Sequence, residues 1–253
     1  MVAEIGYQLS SITPFLDTQE NIRDSFRKLA DIGYRHVQLQ GVPACIPNEA
    51  IIEALEESGL NFVATQEDYA LGFGDDPQAG IDRAVAVGAK YLVCALMPKT
   101  VDSPESLEEF AADLTRIADD AKAAGLIFAF HPIGTDYREM DGQPVYLRLM
   151  NLLPDHVQLT FCVAAAHSAG VDPAEVFERF AGRMDLVHFK DTSEQPDGSE
   201  HMMPLGQGSH DWSPILKAAD EAGAKYVFAE QERWLKDAFE CAAESHAYLT
   251  SIR

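Results

Sequence analysis

The chain is short of positive charge: 19 Lys and Arg residues face 41 Asp and Glu residues, a formal net charge of -22. A surface of that sign repels phosphate backbones and anionic membranes, so neither nucleic acid nor a membrane is expected as a partner. Cysteine is scarce too. Cys45, Cys94, Cys162 and Cys241 lie far apart with no Cys-x-x-Cys pair, which argues against a zinc ribbon or a disulfide framework and for reduced thiols. No apolar run approaches the roughly 18 residues of a membrane helix, and no Ser/Gly/Pro-rich linker or low-complexity tract divides the chain. With a first strand expected from about Glu4, no room is left for a cleavable leader. The expectation is a soluble, cytoplasmic protein with one domain over residues 1–253. A homo-oligomer is compatible with all of this.

What is abundant is a repeated ending. Helical stretches close on Gly33, Gly59, Gly88, Gly125 and Gly223, and each runs within a residue or two into a short apolar strand. Glycine past a helix supplies the left-handed backbone that ends it, and an apolar run behind it reads as a strand buried on both faces. Further strands are expected at Glu4–Leu9, His156–Phe161 and Met184–Phe189, which brings the total to eight. Eight β/α units in about 250 residues predict a single (β/α)8 TIM barrel, an α/β fold. Thr18, Ser103, Asp172 and Ser213 read as helix starts, with Pro104, Pro173 and Pro214 just inside. One connection, Asp191–Trp212, is too long for a tight turn and reads as a lid or a substrate contact.

A barrel carries its chemistry where strands end. Alternation along the strands sends His131, Cys162, His188, Lys190 and Glu230 to the inner face at those ends, with Gln38, Gln40, Gln66, Glu67 and Asp68 on the second and third strands. Imidazole, thiolate and carboxylate are ligands of divalent metals, so His131, Cys162, His188 and Glu230 form a candidate metal set. The plainer readings are a hydrogen-bonded core histidine and a small buried thiol. Glu230 ends an apolar strand, where a carboxylate must be paired, metal-bound or catalytic.

Several stretches resemble the xylose-isomerase-like TIM barrels known as sugar phosphate isomerases/epimerases. They are Gly33-Tyr34-Arg35-His36-Val37-Gln38-Leu39, Ala169-Gly170-Val171-Asp172-Pro173, Gly182-Arg183 with His188-Phe189-Lys190-Asp191, Leu205-Gly206-Gln207-Gly208, and Glu230-Gln231-Glu232. The resemblance runs almost the whole chain. It implies a divalent metal, often manganese, held by strands five to eight, with carboxylates shuttling a proton between adjacent sugar carbons. His188 and Glu230 match the family's histidine and final glutamate ligands. Cys162 stands where the family has an aspartate ligand, His131 near a usual glutamate, and Gln38 and Gln207 where glutamates are usual. The softer set would suit zinc better than manganese, and loss of the metal is the alternative.

The leading expectation is an isomerase or epimerase acting on a ketose or keto-sugar through an enediolate. Glu230 is the expected base, His131 its partner, and Lys190 the group that steadies the enediolate oxygen. Gln38, Gln66 and Gln207 are candidate substrate contacts. Trp212 and Trp234 would cover the sugar's apolar face, the alternative being a place in the seam between helices and barrel. A dehydratase or lyase acting on a keto-inositol or keto-glycoside would need the same base and electrophile. A catalytically degenerate sugar-binding barrel is the reading outside enzymes.

Overall fold

Short runs of β-branched and aromatic residues have no face suited to water, so each needs partners on both edges and cover on both sides. In the computed structural model, which describes residues 2–195 and 197–253, eight such runs close on themselves. The strands are β1 (Glu4–Gln8), β2 (His36–Leu39), β3 (Asn61–Asp68), β4 (Tyr91–Ala95), β5 (Ile127–His131), β6 (Gln158–Cys162), β7 (Leu186–Phe189) and β8 (Tyr226–Ala229). All pair in parallel around the ring, and β1 joins β8 and β2 through Gly6, opposite Phe228 and His36. The predicted (β/α)8 TIM barrel is therefore the fold. Gly59 and Gly223 do end their helices in the left-handed conformation.

Alternation sorts the strand residues as expected. Phe128, Phe130, Leu159, Phe161, Val187, Phe189 and Val227 pack outward in the large core shared with the helices. Val63, Tyr91, Val93, Ala129, Leu186 and Phe228 fill the barrel interior as a separate cluster. Near the N-terminal ends of the strands, Asp185 accepts from the Tyr91 hydroxyl (2.8 Å) and the Lys225 ammonium (2.7 Å). Toward the opposite mouth the interior turns polar, with Gln8, Gln38, Gln66, Thr160 and His188 all buried.

The helix starts at Thr18, Ser103 and Asp172 are capped by those side chains. The start expected at Ser213 is displaced. Asp211 accepts from Ser213 N, so the helix Trp212–Ala222 begins earlier and Pro214 falls within its first turn, where a missing N–H costs little. The long connection after β7 is not a plain loop: Asp191–Glu194 pairs antiparallel with Glu200–Met203. Residue 196, inside this expected lid, lies outside the described residues.

A methyl group on Gly6 would collide with the Phe228 ring, which is fully buried inside the barrel. Gly6→Ala is therefore expected to destabilise by about 1–3 kcal/mol. Urea unfolding should show a lower midpoint at an unchanged slope; an unchanged midpoint would contradict the packing described.

Candidate functional site

The C-terminal ends of the strands surround a cavity of about 360 Å³. His131 and Cys162 are the last residues of β5 and β6, Lys190 and Glu230 directly follow β7 and β8, and Gln66 comes from β3; all five line the cavity. Rigid strands position each, because an odd or even place in the pleat decides which way a side chain points.

Glu230 is the centre of this group. Lys190 Nζ lies 3.3 Å from Glu230 Oε1, and Ser10 Oγ donates to the same oxygen at 3.3 Å. His188 Nδ1 lies 3.3 Å from Glu230 Oε2, which has no hydrogen-bond partner. Burial pushes the Glu230 carboxyl up, but Lys190 and His188 outweigh it and hold the group well below the usual carboxylate range. Lys190 also donates to Glu232 Oε1 at 2.8 Å. Burial pulls the Lys190 ammonium down; Glu230, Cys162 and Glu232 more than reverse this and keep it protonated. Glu232 moves the other way, raised by burial and then by the Glu230 charge.

Behind this layer runs a chain of amides. His188 Nε2 donates to Gln38 Oε1 (2.9 Å), and Gln38 Nε2 donates to Gln66 Oε1 (2.9 Å). Since Gln38 Oε1 only accepts, the chain puts the His188 proton on Nε2. The His131 ring meets the His188 ring edge to face at 4.6 Å. Burial, reinforced by His188, holds His131 well below the usual imidazole value, so it is neutral. Neither of its nitrogens has a partner.

The expected metal ligands His131, Cys162, His188 and Glu230 thus gather at one end of the barrel, but not as a coordination set. Among the described residues no three His, Cys, Asp or Glu side chains form a group able to hold a metal ion. A hard ion takes oxygen ligands and zinc takes at least three protein donors. Here the one carboxylate of the four is bracketed by an ammonium and an imidazole. Neither manganese nor zinc fits this arrangement.

Four expected substrate contacts are corrected. Gln207 is exposed and donates to Glu244 at 2.7 Å, away from the cavity. Trp212 is fully buried and stacks on Phe189 at 4.6 Å, in the seam between helix and barrel. Trp234 packs on Phe15 (5.9 Å), donates to the Gln231 carbonyl and borders a separate depression with Arg233 and Leu235. Gln38 is fully buried and does not line the cavity, because its amide is committed to His188 and Gln66. The sequence pattern singled out neither Ser10 nor Glu232, and Glu200 and Met202 only as part of the Asp191–Trp212 connection; all four line the wall. For Glu232 the signal was present: two residues beyond Glu230, it continues the inward phase.

Asp191 is not the partner of Lys190. Its Oδ2 accepts from Gly206 N (2.9 Å) and Gly208 N (3.0 Å), and its Oδ1 from Thr192 N (3.0 Å), His210 N (3.3 Å) and the His210 ring (3.0 Å). The connection after β7 is tied to one buried carboxylate, and its hairpin residues Thr192, Glu200 and Met202 reach the cavity wall.

The family model of the xylose isomerase-like TIM barrel matches residues 26–251. An inosose dehydratase from Lacticaseibacillus casei is 31% identical over 200 residues, 65% of this chain and 65% of that protein. The chain thus spans about 65% of the length of the curated relative it matches. A sugar phosphate isomerase/epimerase from Parabacteroides distasonis superposes with a TM-score of 0.83 at 18% identity, over 99% of this chain and 94% of the other. A xylose isomerase-like TIM barrel protein from Mycobacterium smegmatis, solved in complex with magnesium, gives 0.75 at 16% identity, over 99% and 96%.

Burial raises the Asp191 carboxyl, but His210, Trp212 and the backbone amides outweigh it and leave it lowered. A carboxyl depressed in the folded state contributes stability above its unfolded value, about pH 4, and that contribution disappears as pH falls through the lower folded value. Asp191→Asn is therefore expected to cost about 3 kcal/mol at neutral pH. The gap from the wild type should shrink below about pH 4. Urea unfolding at pH 7 and at pH 3 checks both statements; a gap that does not change with pH would contradict them.

Proposed function

We propose that this chain, which belongs to the xylose isomerase-like TIM barrel family, transfers a proton at the carbon beside a carbonyl in a sugar or cyclitol ketone. The observation that carries this reading is the Glu230 carboxylate, buried, ionised, with Oε2 unpartnered, beside Lys190 Nζ and His188 Nδ1. A carboxylate that acts as base has to be ionised and unengaged at the atom that takes the proton.

In the first step the carbon-bound proton passes to Glu230 Oε2 and its electron pair moves onto the carbonyl oxygen. Lys190 has one N–H beyond its two carboxylate contacts, and that N–H steadies the enolate oxygen. Neutral His131 carries one N–H and one lone pair, so it gives its proton to one substrate oxygen and takes the proton of the neighbouring hydroxyl on its other nitrogen, ending the turnover neutral as the other tautomer. Return of the proton from Glu230 to the adjacent carbon completes an isomerisation; return to the same carbon from the other face requires a second donor. For an isomerase this chain's own groups balance the reaction.

A second reading is favoured by the inosose dehydratase relative. From the same enolate, Glu230 would deliver its proton to a hydroxyl one carbon further on. The C–O bond breaks, water leaves and a double bond remains. The two readings share Glu230 and Lys190 and separate only at the product.

Incubation of 2-keto-myo-inositol and simple ketoses in D2O, followed by NMR, is expected to show deuterium entering beside the carbonyl and then either an isomer or a dehydration product. Glu230→Gln should slow the exchange by about a thousandfold. Exchange at the wild-type rate in that variant would rule out Glu230 as the base, and sugar binding without exchange would favour the non-catalytic reading.

Elemental analysis of protein purified without chelator or nickel resin is expected to give well under one equivalent of zinc or manganese. Cys162→Ala should leave that figure unchanged. One equivalent of metal, lost in the alanine variant, would restore Cys162 as a ligand and return a Lewis acid to the site.

A further inference from the structure

The cavity is strongly one-sided in charge. Its wall carries the carboxylates of Asp68, Glu200, Glu230 and Glu232 against the single ammonium of Lys190, which is already shared by two of them. The two arginines near this face do not relieve the imbalance. Arg138 is committed to the carbonyl oxygens of Thr135 and Val101, and Arg233 lines the neighbouring depression, not this cavity.

The places where a barrel usually cradles phosphate are taken as well. Such sites are built from backbone amides in the loops after the seventh and eighth strands. Here the amides of Gly206, Gly208 and His210 already donate to Asp191. The Gly206-Gln207-Gly208 segment is thus an anion nest whose anion is the protein's own side chain.

The unpartnered polar atoms complete the pattern. Glu230 Oε2 and Glu232 Oε2 are buried and unpaired; the ionised Glu230 oxygen only accepts hydrogen bonds, and Glu232, raised by burial and by the Glu230 charge, accepts when ionised and donates when protonated. The His131 nitrogens, one donor and one acceptor in the neutral ring, are unpaired as well. A hydroxyl group supplies the donor these acceptors lack, whereas a phosphate or carboxylate adds only acceptors and negative charge.

We propose that the substrate of this cavity is an uncharged polyhydroxy ketone, a ketose or cyclitol ketone bearing neither phosphate nor carboxylate, whose hydroxyls donate to the wall carboxylates. This rests on the reading of the site as a proton-transfer centre and names the substrate class for it. Selectivity arises from like-charge repulsion at Asp68 and Glu200, which lie outside the Lys190, Glu230 and Glu232 group, together with the lack, among the described residues lining the cavity, of any cation other than Lys190.

Matched pairs test the proposal: D-fructose against fructose 6-phosphate and D-ribulose against ribulose 5-phosphate, with 2-keto-myo-inositol as a further neutral probe. Binding is followed by calorimetry and saturation-transfer NMR, and turnover separately. The neutral member of each pair is expected to bind at least about tenfold more tightly than its phosphate, since like-charge juxtaposition is strongly unfavourable. Inorganic phosphate at 10-fold excess over the neutral probe should not displace it. Asp68→Asn combined with Glu200→Gln should narrow the ratio several-fold, mainly by improving the phosphate's binding.

Equal or tighter binding of the phosphorylated member overturns the proposal, as does a ratio that the double variant leaves unmoved. Failure of all three neutral probes to bind also overturns it. Neutral probes that bind without any turnover leave the substrate class standing while removing the proton-transfer reading, so the two fail separately.

Discussion

A carboxylate taken out of water has to be met by donors or by a cation, and two such groups at strand ends organise the active face. Asp191 is met by backbone amides and one imidazole, and by drawing them in it folds the long connection after β7 into part of the cavity wall. Glu230 is met at Oε1 by the Lys190 ammonium and the Ser10 hydroxyl, while Oε2, 3.3 Å from His188 Nδ1, has no hydrogen-bond partner. The first group is saturated and builds; the second keeps one oxygen unsatisfied and is left able to react. Lys190 stands next to Asp191 in the chain yet turns to Glu230, because successive residues past a strand end keep opposite directions.

The same electrostatics assign different states to neighbouring groups. Glu230 is held charged and His131 neutral although they share a cavity, because Lys190 and His188 outweigh burial at the first, while burial, reinforced by His188, prevails at the second. Glu232, raised by burial and then by the Glu230 charge, differs from it again. Neighbouring titratable groups pushed apart in this way are a mark of acid and base roles. The amide chain from Gln66 through Gln38 to His188 adds direction, since each acceptor in it admits only one proton placement.

The barrel was legible because its signal is local: a glycine that ends a helix and an alternating strand after it are decided within a few residues. The same alternation was enough to bring Gln66, His131, Cys162, Lys190 and Glu230 to one cavity, since a strand's phase transmits directly to the direction of its side chains. It failed where no strand carries the phase. Gln207 and Trp212 sit on a connection whose path is set by contacts with Asp191, 15 or more residues away in the case of Gly206, and nothing in their own neighbourhood announces that. Trp234 lies beyond the last strand and is fixed by Phe15 near the other end of the chain. Whether four metal-ligating residue types converge as ligands is likewise a question of angstroms, while residue type fixes only what they are able to bind.

Lys190 as the site's cation also bears on the kind of carbonyl the site is suited to. A single ammonium stabilises a developing enolate less than a divalent ion placed at the same oxygen, since the interaction scales with charge. Under the proposed reading, part of the difference is met by the substrate itself: a ketone already free of a ring acetal needs no opening step, and the proton beside it is already acidified by the carbonyl. The carbonyl of a cyclitol ketone is permanently in that state. A ketose reaches it only in its open-chain form, so its apparent affinity falls by the fraction of open chain present, as for any ligand whose competent state is a minority. Between the two neutral classes of that proposal, the chemistry therefore favours the cyclitol ketone, a preference that arises from the carbonyl's availability and not from any added contact with the wall.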